Sequence, residues 1–236
     1  MSRGVGEFDL LQGAVPDALA LLVALLTQLG DVWFVTLCLL ALFVRFDRDR
    51  IATVGGLAIG AIALTFALKY LFVLPRPDLP LIALEALPAV ARPIYGLTGY
   101  ASGYGFPSGH AVVTTVVYLA LAERLPVSRR RNRYAVAVTV IALVGLSRIV
   151  LGLHYLVDVV VGIALGLALL VGTRWLLARY RTPARQRTVA LGLGVVLAGT
   201  SVLVAGLRLE PVALLSVSVV LFSLSVWFGG SWNRPG

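Results

Sequence analysis

Residues 51–74, IATVGGLAIGAIALTFALKYLFVL, carry a single charge, Lys69, in an otherwise apolar run. A helix needs about 20 predominantly apolar residues to cross the hydrocarbon of a bilayer, so this stretch predicts a transmembrane helix. Measured the same way, the rest of the chain yields six more, at 25–44, 108–125, 134–151, 155–177, 189–207 and 212–228. The expected fold class is therefore all-α, a polytopic bundle of about seven spans. Composition agrees: 59% of residues are hydrophobic and 13% charged, where soluble domains carry about 25% charge. Mean hydropathy is +0.95.

The formal charge of +9 would suit nucleic acid, but the basic residues cluster between apolar runs and do not form one soluble face, so membrane topology accounts for them and no nucleic-acid partner is expected. Cys38 is the sole cysteine and lies within an apolar run, which leaves no disulfide and no cysteine-rich metal site. Residues 1–12 hold Arg3, Glu7 and Asp9 without the basic leader and small-residue cleavage site of a signal peptide, so the segment is expected to be retained.

Short cytoplasmic loops keep positive charge. Arg124, Arg129, Arg130, Arg131 and Arg133 follow the third run, and Arg174, Arg179, Arg181, Arg185 and Arg187 surround the end of the fifth, which places both loops inside. By alternation, residues 45–50 and Arg234 are also inside, whereas residues 70–107, 151–155 and 208–210 face out. The expected organisation is an N-terminal segment, 1–24, whose residues 16–24 form a surface-lying helix; a core of five spans, 25–181; and two further C-terminal spans within 186–229. Gly56 with Gly60, and Gly162 with Gly166, have the spacing that lets helices approach closely in lipid.

Three clusters carry chemistry. Lys69 is the only lysine among 20 basic residues, near the outer end of the second span. A snorkelling interfacial lysine is the bland reading; Arg76, just beyond, adds a second cation, and two cations could clamp one phosphate. In Phe106-Pro107-Ser108-Gly109-His110, serine is a good N-cap and glycine admits a ligand to the backbone, so a helix N-terminus suited to an anion is expected, or else a plain cap. Finally, His154 and Asp158 lie four apart, on one face if the fifth span begins there. The aspartate would fix the imidazole tautomer and leave the other nitrogen free to attack. Arg148 supplies a third cation. The bland alternative is a structural Arg148–Asp158 pair that offsets the cost of charge in a membrane, about 2.5–3.5 kcal/mol per residue.

Taken together, Lys69-x6-Arg76-Pro77, Pro107-Ser108-Gly109-His110 and Ser147-Arg148-x5-His154-x3-Asp158 resemble the three motifs of the type 2 phosphatidic acid phosphatase family, which shares its site with vanadium haloperoxidases. The resemblance covers about residues 25–181. Against the six-helix core common in that family, the first core helix is expected to be absent or reduced to residues 16–24. The resemblance implies that Lys69, Arg76 and Arg148, with Ser108 and the Gly109 amide, hold the phosphoryl oxygens. It further implies that His154 attacks, Asp158 orients it, and His110 protonates the departing alcohol and then activates water.

The substrate class implied is a membrane lipid bearing a phosphate. No metal or cofactor is expected, because the acidic residues near the motifs are Asp78, Asp158 and, further off, Glu85, too few for a usual oxygen-ligand site. A transferase that replaces water by an alcohol shares every one of these features, and a phosphate-lipid transporter shares all but the need for His110.

Overall fold

In the computed structural model, which describes residues 3–228, every regular element among the described residues is helical. Two short helices, α1 (Glu7–Gly13) and α2 (Ala20–Leu26), lead into α3 (Val32–Arg45), α4 (Arg48–Phe72) and a short loop helix, α5 (Arg92–Thr98). Then follow α6 (Gly109–Arg124), α7 (Arg130–Val150), α8 (Leu156–Leu177), α9 (Pro183–Ala205) and α10 (Leu209–Trp227). Side-chain oxygens start several of them: Asp47 accepts from the Arg50 amide at 2.9 Å, and Thr182 caps α9 with Pro183 in its first turn.

The short helix α6 is the axis of the bundle, packed against α4, α7 and α8. Its Ala111, Val112, Val116 and Ala120 are buried all round. Small residues set the spacing. A Cβ on Gly162 would stand 2.8 Å from the Ser108 carbonyl oxygen, and one on Gly166 2.8 Å from Thr115 Cβ, so α8 lies against α6 without intervening side chains. On the other side, a Cβ on Gly56 would stand 2.7 Å from the Ala190 carbonyl carbon, which brings α4 and α9 into backbone contact.

Five helices, α4, α7, α8, α9 and α10, are long and apolar enough to cross a membrane, and the chain is a polytopic α-helical membrane protein. The expected count of seven spans is not met by these five: the runs at 25–44 and 108–125 coincide with helices too short for that test, α3 with 14 residues and α6 with 16. The first departs most. Residues 25–44 are broken by a 3-10 turn, Thr27–Gly30, and α3 restarts after Asp31, whose carboxylate accepts from the Trp33 amide. Gly30 explains the break: a Cβ there would stand 2.8 Å from Thr114 Cγ2 and 2.9 Å from Val144 Cγ1, so the chain passes too close to α6 and α7 to continue as a straight helix.

The segment expected to form a surface-lying helix at 16–24 is helical and packs one face on the bundle. It begins as a 3-10 turn, Asp17–Leu19, continues as α2 past residue 24, and buries Ala20 and Ala24 against Leu87, Tyr95, Leu151 and Leu153. With α1, it turns through 90° over the end of the bundle.

At the opposite end, α9 and α10 are fastened to α4 by charge. Arg187, 1% exposed, pairs with Asp49 and donates to Ser225 Oγ at 3.0 Å and to the Ser225 carbonyl at 3.1 Å. Removing one partner of a buried pair costs about 3–5 kcal/mol, so this contact ties the C-terminal hairpin to the core. Arg234, used above for orientation, lies outside the described residues.

Candidate active site

The three sequence clusters meet at one end of the bundle. Lys69 occupies the last turn of α4 and Arg76 the loop beyond it; Ser108 is the N-cap of α6, followed by Gly109 and His110; Arg148 ends α7; His154 sits in the following turn; Asp158 opens α8. Backbone bonds hold these segments together. The Ser108 amide donates to the Asp158 carbonyl at 3.0 Å, and the Gly105 amide donates to the Leu74 carbonyl at 2.8 Å. Gly109 is close to α4, since a Cβ there would stand 3.0 Å from Thr65 Cγ2.

The turn that places His154 is built on Arg148. The Leu153 and His154 amides both donate to the Arg148 carbonyl, at 3.0 and 3.2 Å. Gly152 supports this with φ +68°, a conformation that side chains disfavour, and any Cβ there would collide with the Leu79 carbonyl oxygen.

His154 is 1% exposed, with Nε2 2.9 Å from Arg76 Nη1. The same Nη1 donates to the Leu153 carbonyl at 2.8 Å, while Arg76 Nε donates to the Ser102 carbonyl at 3.2 Å. A guanidinium has no acceptor, so Nε2 must carry the lone pair and Nδ1 the proton. Nδ1 lies 3.6 Å from Asp158 Oδ2. Burial, followed by the positive charges of Arg148, Arg76 and Lys69, holds the imidazole well below the ordinary histidine range. It is therefore neutral at physiological pH. Burial also lowers Arg76, to about 10, which leaves it charged there.

Arg148 is buried and donates from Nη1 to Thr27 Oγ1 at 3.0 Å. His110 Nε2 stands 3.8 Å from Asp31 Oδ2, beyond a hydrogen bond but within strong electrostatic reach. Four buried polar atoms in the motif segments have no hydrogen-bond partner: Ser108 Oγ, His110 Nε2, Arg148 Nε and His154 Nδ1. Such atoms are rare in native proteins and call for a partner. Two of them, on Ser108 and Arg148, are donors suited to an anion.

Asp158 does not pair with Arg148 as the bland alternative required. Its Oδ2 accepts from the Tyr155 amide at 3.0 Å, and its Oδ1 takes an ion pair from Arg3. Arg3, Thr27 and Asp31 thus belong to the site's surroundings without having been singled out in the sequence. Of these, Asp31 alone left a trace, as a Gly-Asp pair that marks a helix restart.

The sequence profile of the PAP2 superfamily matches residues 50–182. Among curated relatives, phosphatidylglycerophosphatase B of Bacillus subtilis is 36% identical over 84 residues, 33% of this chain and 41% of that protein. Decaprenylphosphoryl-5-phosphoribose phosphatase of Mycobacterium tuberculosis is 33% identical over 134 residues, 57% of this chain and 65% of that one. The chain thus matches less than two thirds of the length of either. Two solved structures share the fold. The PAP2-type phosphatidylglycerolphosphate phosphatase from Bacillus subtilis has a TM-score of 0.59 at 23% identity, over 75% of this chain and 85% of that one. Aquifex aeolicus LpxE has a TM-score of 0.56 at 22% identity, over 72% and 94%.

Proposed function

This chain belongs to the PAP2 superfamily, and we propose that it is a lipid phosphate phosphatase that works through a phosphohistidine at His154 without a metal. The observation that carries the reading is the 2.9 Å contact from Arg76 to His154 Nε2, which orients the lone pair of a neutral imidazole toward a group of cations. In the first step Nε2 attacks phosphorus and the bond to the lipid oxygen breaks. His110 gives that oxygen its proton. In the second step His110 takes a proton from water as the water attacks phosphorus, the N–P bond breaks, and phosphate and free His154 are released.

Lys69, Arg76 and Arg148, with Ser108 and the Gly109 amide, stabilise the charge that spreads over the equatorial oxygens. The His154 ring becomes cationic on phosphorylation, and the Asp158 carboxylate beside Nδ1 favours that state. In this mechanism the cationic side chains carry the electrostatic work.

The test is phosphate release by purified protein from phosphatidate, phosphatidylglycerophosphate, decaprenylphosphoryl-5-phosphoribose and polyprenyl diphosphate, each with chelator present. Release from at least one of them in chelator is expected. Turnover that chelator abolishes and magnesium restores would overturn the metal-free mechanism; release that depends on an added alcohol would make the protein a transferase.

The reading also places the protein in the cell membrane with the site on the outer face, supported by the arginine-rich loops at the other ends of the helices. In a Cys38→Ala background, an impermeant thiol reagent on intact cells should label Ser102→Cys and spare Arg130→Cys. The reverse pattern would invert the topology.

A further inference from the structure

The N-terminal arm, residues 3–13, has no part in the mechanism above, yet it lies across all three motif segments. We propose that Arg3 is a positioning residue of the active site, which fixes the Asp158 carboxylate beside His154 and clamps the motif segments together; this rests on the phosphatase reading.

Arg3 Nη1 donates to Asp158 Oδ1, and Nη2 donates to the Pro75 carbonyl at 2.5 Å. The guanidinium carbon also stands 4.8 Å from the centre of the Tyr155 ring and 5.7 Å from that of Phe106. One side chain therefore touches the residue before Arg76, the loop just before Ser108, and the His154–Asp158 segment. A planar fork with two donor directions and an aromatic-stacking face can do this; a lysine ammonium cannot.

Asp158 requires such a partner. It is wholly buried, and its Oδ2, which faces His154, is already engaged by the Tyr155 amide. Oδ1 would otherwise be a buried, unpaired carboxylate oxygen, free to draw the group into another rotamer or to take up a proton. Arg3 occupies that oxygen and leaves Oδ2 to the Tyr155 amide and the imidazole.

The arm does not depend on Arg3 for its place. Glu7 Oε1 accepts from the Leu156 amide at 3.1 Å, Phe8 packs edge-on against Tyr155 with centroids 5.7 Å apart, and Gln12 Nε2 donates to the Leu79 and Val150 carbonyls at 2.9 and 3.0 Å. Residues from Glu7 onward thus deliver Arg3 to the site as a preassembled element.

The test compares the parent with Arg3→Ala, Arg3→Lys, Asp158→Asn and the Arg3→Ala/Asp158→Asn double variant, all in the full chain. Arg3→Ala should lower kcat by roughly tenfold to a hundredfold, as loss of an orienting outer partner does elsewhere, with KM near the parent value. Arg3→Lys should recover part of the loss, and guanidinium ion in the assay should raise the rate of Arg3→Ala but not of Asp158→Asn.

Thermal melting supplies a readout that needs no turnover. Arg3→Ala should lower the melting temperature less in the Asp158→Asn background than in the parent. An unchanged kcat would overturn the positioning role, and so would a loss that neither lysine nor guanidinium relieves. Equal melting losses in the two backgrounds would overturn the Arg3–Asp158 coupling by itself. A parent that hydrolyses none of the lipid phosphates would instead overturn the phosphatase reading, and the catalytic part of this one with it.

Discussion

His154→Ala is expected to reduce phosphate release by on the order of 10⁴-fold or more, the scale seen when a nucleophilic or base residue is removed from a catalytic set, and to leave no covalent phosphoenzyme. The expectation follows from the geometry of one ring. Nε2 faces Arg76 at 2.9 Å and Nδ1 faces Asp158 at 3.6 Å, which fixes Nε2 as the attacking nitrogen of the proposed mechanism. Because burial and the surrounding cations keep the imidazole well below its ordinary range, the unprotonated nucleophile should persist as pH falls through the region where a free histidine gains its proton. Activity should therefore not collapse near that point for want of a neutral His154. The measurement is a single-turnover reaction with radiolabelled substrate, quenched in base because an N–P bond is acid labile. A phosphoenzyme of parental yield in His154→Ala would remove the residue from the nucleophile's role.

His110→Ala should give a loss that depends on what departs. With a lipid alcohol, whose alkoxide is a poor leaving group, a decrease of about 10²–10⁴ is expected, the usual contribution of a positioned acid or base. With nitrophenyl phosphate the first step needs no proton, so phosphorylation of His154 should remain close to the parent rate. Hydrolysis of the phosphohistidine would still lack its base, and the phosphoenzyme should accumulate. Rapid-quench comparison of the two substrates distinguishes this from simple damage to the site: an equal loss with both leaving groups would show that His110 is not the acid.

The motif residues were legible in the sequence because the membrane makes charge expensive. In a chain with 13% charged residues, Lys69, Arg76, Arg148 and Asp158 stand out at the ends of apolar runs, and both histidines fall beside them. The helices were legible for the same reason, as was the close approach permitted by Gly162 and Gly166. What escaped is tertiary or too local for a hydropathy window. Arg3 meets Asp158 across 155 positions, a distance no local pattern encodes. The break after Thr27 is hidden because apolar residues on both sides outweigh one Gly-Asp pair, although Gly30 must give way to Thr114 and Val144. The partners that bury one face of the segment at 16–24, Leu151 and Leu153, come from the far half of the chain.

The central helix has a bearing on how a lipid reaches His110. At about 1.5 Å per residue, the 16 residues of α6 rise roughly 24 Å, about 6 Å short of a 30 Å hydrocarbon core. If its basic end rests at one interface, the reactive end stops beneath the plane of the other. On the phosphatase reading a phosphoester would then have to sink below its neighbours' glycerol backbones, with the leaflet around the protein puckered inward. Membrane thickness would, on that same reading, act as a mechanical load on substrate entry, lightest in thin bilayers and heaviest in thick ones.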